Sequence, residues 1–154
     1  MTISLNPLNL FLVEDNPADV DLTRLALEEN NMSVNLQVAY DGEEALAYLH
    51  TLQQDTGPVL PDLIILDLNI PKINGLDLLK TIKSHPAMQA TPVVILTTSS
   101  AENDRADCYQ HYANCYITKP LDFEEFIEVI REIKTFWFDI AQLPHKKDDS
   151  YLTH

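Results

Sequence analysis

Apolar residues in this chain gather into short runs of two kinds. Leu8-Asn-Leu-Phe-Leu-Val13, Leu63-Ile-Ile-Leu66 and Pro92-Val-Val-Ile-Leu-Thr97 are apolar almost throughout, the pattern of strands covered on both faces. Val34-Asn-Leu-Gln-Val38 alternates strictly. A strand with one wet face does this, so it is expected at a sheet edge. A fifth, shorter strand is expected at Cys115-Tyr-Ile-Thr118.

Helix signals lie between these runs. Asn16 suits an N-cap with Pro17 at the first helical position, which predicts a helix to about Asn30-Asn31 with Leu22, Leu25 and Ala26 on its buried face. Asp41-Gly-Glu-Glu44 has the form of a capping box and opens a helix carrying Ala45, Leu46 and Leu49. A third helix is predicted from about Asn74 to Ser84, with Leu76, Leu79 and Ile82 inward and Pro86 past its end. A fourth runs from the capping pattern Ser99 to Glu102 as far as about Tyr112. The last opens at Asp122 with Glu125 in the capping position. Its core stripe is Phe126, Ile127, Ile130, Ile133, Trp137 and Ile140, leaving out Val129, Phe136 and Phe138.

Five strands alternating with five helices predict an α/β fold with right-handed crossovers onto one doubly wound parallel sheet. Gln53 to Pro61, with Gly57 and two prolines, reads as a loop. A single domain is expected over residues 1–144, followed by a mobile polar tail over 145–154. There is no internal repeat and no interdomain linker.

Charge narrows the partners. Of 154 residues, 10 are Lys or Arg and 24 are Asp or Glu, a net charge of −14. Such a surface disfavours nucleic acid phosphates and anionic membranes and favours a protein partner or a metal cation. No apolar run approaches the ~20 residues of a membrane span. The first residues lack the basic start and apolar stretch of a signal peptide, so a cytoplasmic location is expected. Cys108 and Cys115 have neither a metal-site spacing nor a disulfide framework and are expected as buried free thiols.

Sites in open parallel sheets form outside the carboxyl ends of the strands. The residues there are Glu14-Asp15, Asp67, Thr97 and Lys119. Three carboxylates brought together repel unless a cation neutralises them, and hard oxygen ligands with no nearby His point to Mg²⁺. An aspartate beside Mg²⁺ can attack a phosphoryl group to form an acyl phosphate. A cation and a hydroxyl are then needed for the remaining oxygens, and Lys119 and Thr97 supply them.

In this ordered set the chain resembles the receiver domains of two-component response regulators. The matching residues are Glu14-Asp15, Asp67 in Asp-Leu-Asn-Ile-Pro71 with Gly75 beyond it, Thr97, and Lys119-Pro120; the likeness spans roughly Leu8 to Trp137. The resemblance implies a flavodoxin-like (βα)5 fold with sheet order 2-1-3-4-5, in agreement with the wet edge at Val34 to Val38. It makes Asp67 the phosphoacceptor and gives Mg²⁺ to Glu14, Asp15, Asp67 and the backbone carbonyl of Asn69. Lys119 would contact the phosphoryl group, with a bond to Pro120 that is often cis in the family. Thr97 would swing in to bond a phosphoryl oxygen, and Tyr116 would change rotamer with it.

Two positions depart from the family. Thr98 stands where Ala or Gly is usual, which should narrow access to Asp67. Tyr112-Ala113 replaces the usual Gly-Ala before the fifth strand, as if the end of the fourth helix were shaped for a contact. Tyr112 to Pro120, with the Phe136-Trp-Phe138 end, looks most like the stand-alone regulators of cyanobacterial phytochrome histidine kinases. The expected function is therefore that of a single-domain response regulator, not an enzyme, which takes a phosphoryl group from such a kinase and signals by a changed surface. A homodimer through helix four, strand five and helix five is expected from Tyr112, Phe136 and Phe138. The alternatives are a relay that passes phosphate to another His, and a Mg²⁺-dependent aspartyl-phosphate hydrolase. The hydrolase is disfavoured because Asn69, at the position of its general acid, is an amide.

Overall fold

The apolar runs become strands because alternate residues of each feed two different cores. In β1 (Leu8–Val13), Phe11 and Val13 enter one apolar cluster, and Leu10 and Leu12 enter another on the opposite face. β3 (Leu63–Leu66) divides in the same way, with Ile64 and Leu66 on one side and Leu63 and Ile65 on the other. So does β4 (Val93–Thr97), which sends Val93 and Ile95 one way and Val94 and Leu96 the other. Period-two geometry thus turns an unbroken apolar run into two buried faces.

The computed structural model describes residues 8–28, 34–52 and 59–140, with the side chains of 139 and 140 left out. Five parallel strands lie in the order β2-β1-β3-β4-β5, with β2 at Val34–Ala39 and β5 at Cys115–Thr118. The alternating run is indeed an edge strand. Helices α2 (Gly42–Leu52), α3 (Gly75–Ser84) and α4 (Glu102–Gln110) cover one face. The other is covered by α1 (Pro17–Glu28) and α5 (Phe123–Lys134), which continues as a π-helical segment over Thr135–Ile140. The four β3 side chains are at most 1% exposed. Burial of each contributes about 1.5–3 kcal/mol, which fixes β3 in the centre of the sheet.

Most helix starts form as the local chemistry dictates. Asn16 Oδ1 accepts from Ala18 N at 2.9 Å, Asn74 Oδ1 from Asp77 N at 2.9 Å, and Asp122 Oδ2 from Glu125 N at 3.1 Å. Asp41 Oδ1 accepts from Glu44 N at 2.8 Å, and Glu44 Oε1 reaches back to Tyr40 N at 3.3 Å.

The start of α4 differs from expectation. Ser99 donates to Asp104 at 2.5 Å and accepts from Ala101 N at 3.3 Å, and Ala101 takes the N-cap position without a side-chain bond. The Asp104 carboxylate captures the serine that would otherwise cap the helix. At its other end α4 stops at Gln110. Ala113 N donates to Cys108 O and Tyr112 N to Tyr109 O, the paired bonds of a Schellman motif, with Tyr112 at φ 73° in the position glycine favours.

Two helical faces also differ from expectation. On α1 the inward residues are Val20, Thr23, Ala26 and Leu27, while Leu25 is 50% exposed and Leu22 packs only in part. Thr23 can be buried because its hydroxyl donates to Asp19 O at 2.8 Å. Val129 and Phe138 pack against the α1–α5 cluster, contrary to the predicted stripe. For Phe138 the cause is winding: past Lys134 the helix is π-helical, so the 3.6-residue phase no longer holds. Cys108 is buried as expected, but Cys115, on the edge strand, is only partly so. The Lys119–Pro120 bond is trans, the isomer an X–Pro amide ordinarily favours. The loop predicted from Gln53 lies mostly outside the described residues, as does the polar tail, and the inward place of Ile140 falls on an undescribed side chain.

Candidate functional site

Sheet pairing runs one residue past several strands and carries the rim residues with it. Glu14 N donates to Ala39 O at 3.0 Å, Asp67 N to Val13 O at 3.0 Å and Lys119 N to Thr97 O at 2.7 Å. Backbone bonds therefore hold Glu14, Asp67 and Lys119 at neighbouring strand ends. The turn behind Asp67 is tight: Gly75 N donates to Leu68 O at 3.0 Å, and a Cβ on Gly75 would lie 2.5 Å from Asp67 O. Only glycine fits there.

Asp67 is 4% exposed, Glu14 3%, Lys119 8% and Thr97 0%, whereas Asp15 is open to solvent. Asp67 Oδ1 accepts from Asn69 N at 3.0 Å, and Asp67 Oδ2 accepts from Lys119 Nζ at 2.8 Å. The same ammonium lies 2.5 Å from Glu14 Oε1 and 2.9 Å from Asp19 Oδ2. Burial pushes the Glu14 carboxyl up to about 7, against the pull of the Lys119 hydrogen bond and charge. Burial also works against the Lys119 ammonium, but its hydrogen bonds to Asp67, Glu14 and Asp19 outweigh that cost and raise its pKa.

The Asn69 side chain ties this loop to β4. Its Nδ2 donates to Thr97 Oγ1 and to Thr98 Oγ1, each at 3.3 Å. Tyr116 OH donates to Ser99 O at 2.8 Å, and Tyr116 N donates to the Tyr109 hydroxyl at 3.1 Å. A cavity of about 240 Å³ separates the β3–α3 loop from α4, lined by Leu68, Asn69, Asn74, Leu76, Asp104 and Cys108.

Glu14, Asp15, Asp67, Asn69, Thr97, Thr98 and Lys119 are thus brought to one rim. Tyr112 and Phe136 are not: both follow helices that run antiparallel to the strands, so they lie toward the opposite end of the sheet. Phe136 is 50% exposed and stands edge-on to Trp137, and Tyr112 is 73% exposed. Asp19 belongs to the site without having been singled out from the sequence. Its available signal was an acid in the first turn of the helix that directly follows Glu14-Asp15.

One ligand oxygen from each of Glu14, Asp15 and Asp67 lies within 4.8 Å of the others. This all-oxygen, net-negative donor set fits a hard divalent cation. Asp67, with one oxygen on a backbone N–H and the other on an ammonium, is placed to act as a nucleophile toward phosphorus once the charge of the incoming oxygens is offset.

Comparison with known proteins agrees with this geometry. The model of the response regulator receiver domain matches residues 10–131. The chain is 36% identical to response regulator Rcp1 of Synechocystis sp. over 138 residues, covering 90% of this chain and 94% of that protein. It is 38% identical over 139 residues to a protein of Methanothrix harundinacea named "Probable methanogenesis regulatory protein FilR2", covering 90% and 89%. The crystal structure of the phosphorylated cyanobacterial phytochrome response regulator RcpA superposes with a TM-score of 0.85 at 39% identity, covering 91% of this chain and all (100%) of that one. The Mn²⁺-bound form of Rcp1 gives 0.84 at 36% identity, covering 90% and 100%.

Proposed function

The chain belongs to the response regulator receiver family, and from that premise we propose that it accepts a phosphoryl group on Asp67 from a sensor histidine kinase. The observation that carries this reading is the buried Asp67 carboxylate, 2.8 Å from the Lys119 ammonium and grouped with Glu14 and Asp15. An Asp67 oxygen attacks phosphorus, the P–N bond to the kinase histidine breaks, and the imidazole nitrogen leaves with the electron pair. Mg²⁺, when bound, would supply positive charge to offset that of the phosphoryl oxygens. Glu14, Asp15, Asp67 and the Asn69 carbonyl would hold the metal, and Lys119 and the Thr97 hydroxyl would bind phosphoryl oxygens. Thr97 must leave its bond with Asn69 to do so, and Tyr116 turns with it.

A phytochrome is the proposed kinase, supported by the likeness to RcpA over 91% of this chain. No helix among the described residues is long and apolar enough to cross a membrane. The signal leaves through a changed surface on α4, β5 and α5, where Tyr112 and Phe136 offer a homodimer contact. Phe138, packed against the core, contributes less. On this reading the protein is a phosphoacceptor that catalyses phosphoryl transfer onto its own Asp67 and the later hydrolysis of that group, rather than an enzyme acting on a separate substrate.

The test is Asp67→Asn with a phosphodonor and Mg²⁺. Incorporation is expected to vanish, and any acid-stable or undiminished label on the variant would refute the assignment. Light scattering of Tyr112→Ala/Phe136→Ala, with and without phosphodonor, tests the dimer; an unchanged mass counts against it.

A further inference from the structure

An ammonium has three N–H donors and no acceptor. Lys119 directs its donors at three carboxylates: Glu14 Oε1 at 2.5 Å, Asp67 Oδ2 at 2.8 Å and Asp19 Oδ2 at 2.9 Å. Glu14 and Asp67 also belong, with Asp15, to the group whose oxygens converge within 4.8 Å. On the reading of that group as a Mg²⁺ site, Glu14 and Asp67 have two claimants. Both claimants are positive, so the two carboxylates turn to a divalent cation only as the ammonium loosens from them.

Asp19 is the third partner and stands outside the converging group. Its side chain is 19% exposed, so its bond with the ammonium is only partly screened by water. Its position is fixed from two sides. It sits in the first turn of α1, next to the strand end that carries Glu14-Asp15, and its carbonyl accepts the hydroxyl of buried Thr23 at 2.8 Å.

We propose that Asp19 is a positioning residue that retains the Lys119 ammonium at the rim when Glu14 and Asp67 turn to a divalent cation. Lys119 then stays within reach of the phosphoryl oxygens instead of competing for the metal's carboxylates. Without Asp19, the remaining partners of the ammonium are the metal's own ligands, and every binding event must displace the lysine from both.

The experiment is calorimetric titration with Mg²⁺ of the unphosphorylated protein, which reads the site without any phosphoryl transfer. Asp19→Asn is expected to weaken Mg²⁺ affinity on the order of ten-fold, the usual scale for loss of a supporting partner, and Asp19→Glu to restore most of it. Asp21→Asn removes the same charge from an exposed position of α1 and is expected to change little. In a Lys119→Met background, Asp19→Asn should cost no more than Asp21→Asn does, because Asp19 acts through the lysine. Asp19→Ser repeats the test should Asn disturb the start of the helix. Wild-type affinity in Asp19→Asn, or an equal loss with Lys119 absent, would overturn the role. If Asp67→Asn abolishes binding while Asp19→Asn does not, the role of Asp19 alone falls. If Asp67→Asn also binds normally, the metal site itself is wrong and the role falls with it.

Discussion

The side-chain amide of Asn69 donates to the Thr98 hydroxyl at 3.3 Å, joining the loop after β3 to the end of β4. Receiver domains usually carry Ala or Gly at the Thr98 position, so this bond is a feature of the present chain. Thr98→Ala removes both the hydroxyl and its hold on the loop, a loss of about 1 kcal/mol. Phosphorylation by a small donor and hydrolysis of the product should each quicken on the order of five-fold. Incorporation and decay time courses measure this, and unchanged rates would show that Thr98 does not limit access.

Tyr112 occupies the left-handed position of the motif that ends α4, at φ 73°, and is 73% exposed. An L-residue there costs roughly 1–2 kcal/mol, while glycine gives back ~0.5–1 kcal/mol through the unfolded chain. Tyr112→Gly should therefore stabilise the monomer by about 0.5–1 kcal/mol in urea unfolding. If the ring belongs to an association surface, the same variant should dimerise less, so strain would be retained for the contact it presents.

Gly75 has no room for a methyl group, because its Cβ would fall 2.5 Å from both Asp67 O and Leu68 Cα. Both obstacles are backbone. Gly75→Ala should cost about 1–3 kcal/mol and shift the Asp67 carbonyl. Denaturant unfolding gives the first effect. Phosphate incorporation per folded molecule gives the second, and it should fall more than the folded fraction does.

Burial, aided by the charges of Asp104 and Asp107, pushes the Cys108 thiol from 9.0 up to about 11. The folded protein thus favours the neutral thiol more than the unfolded chain does. Its contribution to stability is full below pH 9.0 and is lost as pH rises towards about 11. Wild type and Cys108→Ala should therefore differ in the slope of stability against pH across that window and run parallel below it. Native Cys108 should also resist alkylation at pH 8 while Cys115 reacts faster, since Cys108 is 0% exposed and Cys115 is only partly buried. Equal rates would contradict the packing.

Much of the site was legible because its chemistry falls at strand ends. Leu63 to Leu66 reads as a doubly covered strand from composition alone, and the residue that ends it, Asp67, lies on the rim whatever the details of packing. The same holds for Glu14, Thr97 and Lys119. The resemblance assigns the Asn69 carbonyl to the metal, but the side-chain bonds of Asn69 to Thr97 and Thr98 were not legible, since they depend on how two loops meet.

Periodicity and local capping already place the elements, their alternation, the wet edge at Val34 to Val38, and Glu14, Asp15, Asp67, Thr97 and Lys119 at strand ends. Both act over a few residues. Packing between distant elements settles that Thr23 rather than Leu25 faces inward, that Phe138 packs on the core, that Asp104 takes the Ser99 hydroxyl from the helix cap, and that Lys119 reaches Asp19. That last pair is separated by 100 residues. No local pattern encodes it, because it exists only where the long Lys119 side chain, just past β5, reaches across the strand ends to the first turn of α1.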